Sequence, residues 1–542
     1  MPRPTVLPVS LLLLSLLAAG PARAGGFECP EAGGPAWREV RTAHFVVRTD
    51  LSSGKAKDLA EELERVHEAV RYGLFRKPPD TDVVRVIALA DKEEYDLFAP
   101  KGAMAHYAQP RFSGPTIVLY GTGADEQRII VAHEITHHVT ARAFLRRPLW
   151  FNEGLACVME SVATVGTPTV GGVPRHRYRE VYPYFGDVAR VLGARDRIET
   201  SRDYAVAWAL VHYLMNRRSQ EFGQLQQRFA RGQDPASAWR EVFPQWDPAS
   251  DEAMAALDKE IGRHVSRGDF HYRDIKLPPA EPPSGRPMTA AEAHDVRLSL
   301  PWLNRGEKVE AAKLEAEVEE ALRHDPGSVS ALAVAIERKP AEGVALAEKA
   351  TAAHPGDARA WLLLAGALPP DPKNRREAAL RKAVEVDPSS GLALNELAWL
   401  LLGTGRADEA LPLARRAVEL SPGSAPSLDT LAGIAEARGE CPAALQIQRR
   451  ALDLLPEGLP AEGRAPYRER LSRLEKGLRR RGARGANGAR PRGEVGWAHG
   501  TTTATSALTP VERGAWPGLH SMAVARRRHV PATPCPQAYA QP

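Results

Sequence analysis

Glu126-Gln-Arg-Ile-Ile-Val-Ala-His133-Glu134-Ile-Thr-His137-His-Val139 is the stretch from which the N-terminal half of the chain can be read. Ile129, Ile130, Ala132, Ile135, Val139 and Phe144 recur at helical steps, and no Gly or Pro interrupts Ala124 to Arg147, so the spacing predicts a helix. His133 and His137 then lie one turn apart on one face. Two imidazoles so placed can hold one zinc ion, and Glu134 beside the first is placed to take a proton from water that the metal activates. The pattern points to metal-assisted hydrolysis. A helix that is merely polar on one side produces the same letters.

The following segment, Arg147-Pro-Leu-Trp-Phe-Asn-Glu-Gly-Leu-Ala-Cys-Val-Met-Glu160, adds a second signal. Asn152 reads as the cap of another helix with Glu153 in its first turn, from which a carboxylate can return to complete a two-His, one-Glu site. At this point the sequence resembles the gluzincin metallopeptidases, particularly the bacterial peptidase MA-like group. The resemblance rests on His133 to His137 and on Trp150-Phe-Asn-Glu153-Gly-Leu-Ala156, with fifteen residues between His137 and Glu153, and extends weakly from about Trp37 to Val265. It implies Glu153 as the third zinc ligand, Glu134 as general base, and a peptide or protein substrate. Glu160, two turns beyond Glu153, is expected to contribute nothing to metal retention. Cys157 reads as a small core residue.

Upstream, Trp37 to Thr49, Asp82 to Leu89 and Thr116 to Tyr120 have strand character, and Gly54 to Tyr72 has helical spacing. The resemblance implies that the last strand edges the cleft, with Ile117 to Tyr120 lining the substrate groove; an interior strand is the alternative. His106 and Tyr107 fall in the loop before it. Downstream, Tyr178 to Leu192, Asp203 to Asn216, Glu221 to Phe229, Pro235 to Phe243 and Asp251 to Val265 read as helices forming the second wall. Tyr204 resembles the helix-borne Tyr of the peptidase MA-like proteins, which implies a hydrogen-bond donor to the developing oxyanion; a core aromatic is the plainer reading.

At 542 residues the chain predicts several domains. Residues 1–24 carry a basic start, an apolar stretch and small residues at Ala22 and Ala24, as in a cleaved signal peptide, so export to the periplasm or beyond is expected. No later apolar run is long enough to cross a bilayer. Cys29, Cys157, Cys441 and Cys535 show no metal-ligand pairing. The net charge of +5 is local: ten Arg against two Glu from Gly477 onward give +8, leaving −3 elsewhere, so no nucleic-acid partner is expected.

Leu277-Pro-Pro-Ala-Glu-Pro-Pro-Ser-Gly-Arg-Pro287 is too rich in Pro for helix or strand and reads as a spacer. Beyond it, Lys382-Ala-Val-Glu-Val-Asp-Pro388, Arg416-Ala-Val-Glu-Leu-Ser-Pro422 and Arg450-Ala-Leu-Asp-Leu-Leu-Pro456 repeat with a period of 34. That period, with Gly405, Ala410 and Ala417 matched by Gly439, Ala444 and Ala451, resembles the tetratricopeptide repeat and implies four to five repeats, the early ones degenerate, offering a surface to a protein partner. The expected architecture is an α+β zincin-like protease domain (35–275), a Pro-rich linker (276–289), an all-α tetratricopeptide repeat solenoid (290–476) and a disordered basic tail (477–542). The expected activity is that of an exported zinc peptidase. The rivals are a catalytically silent interaction scaffold and a zinc hydrolase acting on another acyl substrate.

Overall fold

The computed structural model describes residues 29–488 apart from 76–77, 79–82, 100–104, 109–111, 113–115, 122–124, 163–167, 185, 195–197, 199, 269, 272, 302–307, 370–373, 422 and 456–458. The signal-peptide expectation for 1–24 and the tail from 489 lie outside the described residues.

The N-terminal region is built on a six-stranded mixed sheet in the order β4-β5-β3-β2-β1-β8. Its strands are β1 (Arg38–Arg41), β2 (Phe45–Thr49), β3 (Val84–Leu89), β4 (Ala105–Ala108), β5 (Thr116–Tyr120) and β8 (Ser284–Pro287); β6 (Thr169–Val170) and β7 (Arg273–Asp274) pair separately. β2, β3 and β5 run parallel, while β4, β1 and β8 add antiparallel. Side-chain alternation sends Val86, Ala88, Ile117 and Leu119 to one face, against Leu63 and Val66 of α1 (Ser53–Leu74) and Ile135 and Val139 of α3 (Asp125–Ala143). Ile87, Leu89 and Val118 go to the other.

That second face corrects the expected domain boundary. It packs with Tyr95 of α2 (Lys92–Asp96) and with Val296, Leu298 and Leu314 of α11 (Ala290–Ser299) and α12 (Lys308–His324). The spacer ends as strand β8, paired with β1 from Arg38↔Pro287 to Arg41↔Ser284. An edge strand tolerates Pro, which is why a stretch that reads as neither helix nor strand can still join the sheet.

The other edge is β4. His106 and Tyr107 therefore sit in a strand and not a loop, and β5 is interior, with Ile117, Val118 and Leu119 fully buried. Those residues line no groove; the edge strand on that side is Ala105–Ala108.

The second wall comprises α4 (Leu149–Met159), α5 (Arg175–Val181), α6 (Val188–Gly193), α7 (Ser201–Arg217), α8 (Ser219–Ala230), α9 (Pro235–Val242) and α10 (Asp251–Arg267). The single helix expected over 178–192 is two, because Pro183 lacks the N–H needed to continue α5.

Helices α11 to α20 follow as five consecutive pairs: α11 with α12, α13 (Val329–Arg338) with α14 (Gly343–Ala353), α15 (Ala358–Ala367) with α16 (Arg375–Val386), α17 (Gly391–Gly403) with α18 (Ala407–Leu420), and α19 (Ala425–Ala437) with α20 (Cys441–Asp453). Gly405 and Gly439, 34 residues apart, both adopt φ of +79° in the turns inside their pairs, a conformation that favours glycine. Ala410, Ala417, Ala444 and Ala451 are fully buried, where small side chains let helices approach. The last helix, α21 (Ala461–Gly488), runs past Gly477, so the basic stretch at Arg480 begins as helix; Arg is a good helix former and no Pro intervenes before 491.

The array also returns to the α+β region. Ala141 of α3 packs with Leu428 and Tyr467, and Arg146 donates to the Asp453 carboxylate, with Nη2 3.3 Å from Oδ1.

Candidate metal centre

Three ligand atoms converge between α3 and α4. His133 Nε2 and His137 Nε2 each lie 3.3 Å from Glu153 Oε2, and the two rings stand edge to face with centroids 4.8 Å apart. The three side chains form a group whose donor atoms lie within 4.8 Å of one another. The helical step brings the two imidazoles together, and the return of the chain along α4 brings Glu153 to them. Two imidazole nitrogens and one carboxylate oxygen suit zinc and leave a fourth tetrahedral position open, so the residues present fit the ion.

Glu153 does not occupy a capped first turn. α4 begins at Leu149 after Pro148, and Asn152 lies inside it. The amide instead bridges two neighbours, since Asn152 Nδ2 donates to Glu153 Oε1 at 3.1 Å while its Oδ1 accepts from Arg147 Nη1 at 3.2 Å. Arg147 Nη1 also donates to the His137 carbonyl oxygen at 3.3 Å, so one guanidinium ties the metal helix to the residue that steadies the third ligand. Gly154 is required by the close approach of α7: a Cβ there would lie 2.5 Å from Val211 Cγ2 and 2.6 Å from the Ala207 carbonyl oxygen.

Glu160, against expectation, does not stand apart from the centre. Its Oε1 lies 2.8 Å from His133 Nδ1, which fixes the ring with Nε2 turned toward Glu153. Its carboxylate also meets His176 Nε2 at 2.9 Å and accepts from Arg177 at 2.8 and 3.0 Å. Burial would raise this carboxyl, but the hydrogen bonds from His133, His176 and Arg177 outweigh it and hold it well below the usual range. Glu153 behaves likewise, with His137 and His133 overcoming burial. For His133, burial opposes the charged ring, yet Cys157, Glu153 and Glu160 hold it well above its ordinary value. A site that so favours positive charge between its carboxylates is suited to a cation.

Cys157 is buried as expected, but its sulfur belongs to a group with His133 and Glu160. Burial, reinforced by the Glu160 charge, pushes the thiol up to about 11. Glu134 is half-buried next to His133, and among the described residues its carboxylate makes no hydrogen bond or ion pair. Tyr204 lies in the first turn of α7, its ring 5.3 Å from the Arg177 guanidinium that holds Glu160. The structure thus brings His133, His137 and Glu153 together and links Tyr204 to His133 through Arg177 and Glu160. Glu160, seven residues beyond Glu153 on the same helical trace, carried a spacing signal; Arg177 and His176 carried none.

Replacing Glu153 with Ala should abolish stable zinc retention, leaving two imidazoles, whereas Glu160→Gln should weaken zinc binding by about 10- to 100-fold through loss of ring orientation. Zinc titration against a competing chelator checks both; wild-type affinity in Glu160→Gln would reduce Glu160 to a bystander.

Family models match two separate stretches of the chain. A tetratricopeptide-repeat family model matches residues 374–425, and the model of a family described as a protein of unknown function, DUF1570, matches residues 129–235, a span that contains His133, Glu134, His137, Glu153, Glu160 and Tyr204. The C-terminal region is therefore a repeat region of tetratricopeptide type, and neither match carries a peptidase assignment. Among curated proteins none matches. Several solved structures resemble part of the chain. The crystal structure of MamA shares 18% identity over 27% of this chain and 90% of that one, with a TM-score of 0.23. That of YrrB, described as a TPR protein with an unusual peptide-binding site, shares 20% over 30% and 93%, with a TM-score of 0.22. Among the described residues no helix is long and apolar enough to cross a membrane.

Proposed function

We propose that the chain is an exported zinc-dependent peptidase of gluzincin type whose repeat helices engage a protein partner. The observation that carries this reading is the convergence of His133 Nε2, His137 Nε2 and Glu153 Oε2 beside the half-buried Glu134. Bound zinc would supply a Lewis acid at this point, polarising water and the substrate carbonyl. Glu134 takes the proton from the attacking water and passes it to the leaving amine. Glu160 holds the His133 ring, with Arg177 and His176 holding Glu160. β4, the terminal strand of the sheet, would offer backbone groups to an extended peptide, in the manner of an added strand.

Tyr204 is the proposed donor to the developing oxyanion. Tyr204→Phe keeps the ring against Arg177 and removes only the hydroxyl, so cleavage should fall by about 10²-fold with zinc retained. An unchanged rate would assign Tyr204 to packing on Arg177.

The experiment that tests the whole reading is zinc stoichiometry together with cleavage of a peptide library by wild type and Glu134→Gln. A second reading is favoured by the tetratricopeptide-repeat match: an interaction scaffold with a silent metal centre. Zinc-loaded wild type that cleaves no peptide would select it.

A further inference from the structure

We propose that Cys29, His294, Glu320 and His324 form a second zinc site, structural in kind, that fastens the segment before β1 to the first helix pair of the repeat array. One ligand atom from each lies within 4.8 Å of the others. Cys29 Sγ is 3.4 Å from His324 Nε2, and His324 Nε2 is 3.3 Å from Glu320 Oε1. Tetrahedral zinc with ordinary bond lengths sets its ligand atoms roughly 3.3 to 3.6 Å apart, so the two distances at His324 already match edges of such a polyhedron.

The orientation of both imidazoles is the second observation. His294 Nδ1 is bonded to Glu317 Oε1 at 2.7 Å, and His324 Nδ1 faces Glu31 Oε2 at 3.5 Å. Each ring therefore presents a carboxylate to Nδ1 and turns Nε2 inward, the arrangement that fixes tautomer and basicity in zinc-bound histidines. The rings lie nearly parallel, 21° apart with centroids at 5.5 Å. Cys29 and His294 are buried, and Glu320 follows from the i,i+4 step to His324 on α12. A thiolate and a carboxylate together match the charge of one divalent ion. Arg323 also pairs with Glu320, and Arg297 with Glu317.

Four protein ligands fill the tetrahedron and leave no position for water, unlike the three ligands between α3 and α4. The ligands come from three separate places in the chain: the residue before the short turn Pro30–Ala32, helix α11 and the end of α12. Such a set does not exist before folding, so metal binding here is coupled to the packing of α11 and α12 on the sheet. This inference does not depend on hydrolytic activity at the other centre.

The test uses the full chain with Co²⁺ in place of zinc, and then zinc itself. Co²⁺ bound to Cys29 should give a thiolate-to-metal absorption in the near ultraviolet that survives Cys157→Ser and disappears in Cys29→Ser. Elemental analysis should show His324→Ala losing one zinc equivalent relative to wild type, and Glu153→Ala losing a different one, so that the double variant holds neither. If Cys29→Ser does not fold, the Cys157→Ser spectrum and the His324→Ala zinc content still decide. A Cys157→Ser chain without the thiolate band, or a His324→Ala chain with wild-type zinc content, overturns the proposal and leaves a metal-free polar cluster.

Discussion

A chain ended at Lys276 should be recovered insoluble or without cooperative unfolding, although the sequence suggests a natural cut there. The truncation removes β8 and bares the backbone of β1, which becomes an edge. More costly is the loss of α11 and α12, whose Val296, Leu298 and Leu314 cover Trp37, Ile87, Leu89, Phe98 and Val118. Five large apolar side chains uncovered at roughly 1.5 to 3 kcal/mol each approach the whole stability of an ordinary domain. Coexpression with residues 277–488 should restore solubility by supplying strand and cover in trans. A soluble fragment 35–276 with a sharp thermal transition would show that the α+β region folds without the repeats.

The difference between what could and could not be read in the sequence follows from distance along the chain. His133 and His137 are four residues apart, so helix geometry alone places both rings, and Glu153 was reachable through a motif. The short runs of β-branched and apolar residues in Val84–Leu89 and Thr116–Tyr120 likewise carry strand character. β8 escaped because Ser284-Gly-Arg-Pro287 has no apolar face; backbone pairing with β1 and the position at an edge make it a strand. The same limit explains the first helix pair. Its apolar residues look like the start of a repeat array, and nothing local says that they cover a sheet. Cys29 and His324 are 295 residues apart, a juxtaposition that exists only once α12 has packed. Arg177 and His176, both on α5, reach Glu160 just past the end of α4, a tertiary contact that no local pattern marks.

Glu134→Gln should leave zinc content unchanged and reduce peptide cleavage by about 10²- to 10⁴-fold, the usual contribution of a general base. The substitution keeps side-chain size and helix propensity and touches none of the three converging ligand atoms. Among the described residues the Glu134 carboxylate has no ion pair to lose, so the fold should register little change. A rate loss of this size is about 3 to 5 kcal/mol in the barrier, far more than a half-buried amide for carboxylate exchange costs in stability. The paired readings separate three cases. Zinc retained with cleavage lost assigns the proton transfer to Glu134. Zinc lost with cleavage lost means that the substitution disturbed His133 and says nothing for a base at 134, in which case Glu134→Asp, which keeps the carboxylate on a shorter stem, should retain more activity than Gln if the mechanism holds. Equal cleavage by wild type and Glu134→Gln would remove Glu134 from the chemistry and, with it, the strongest reason to regard the centre between α3 and α4 as hydrolytic.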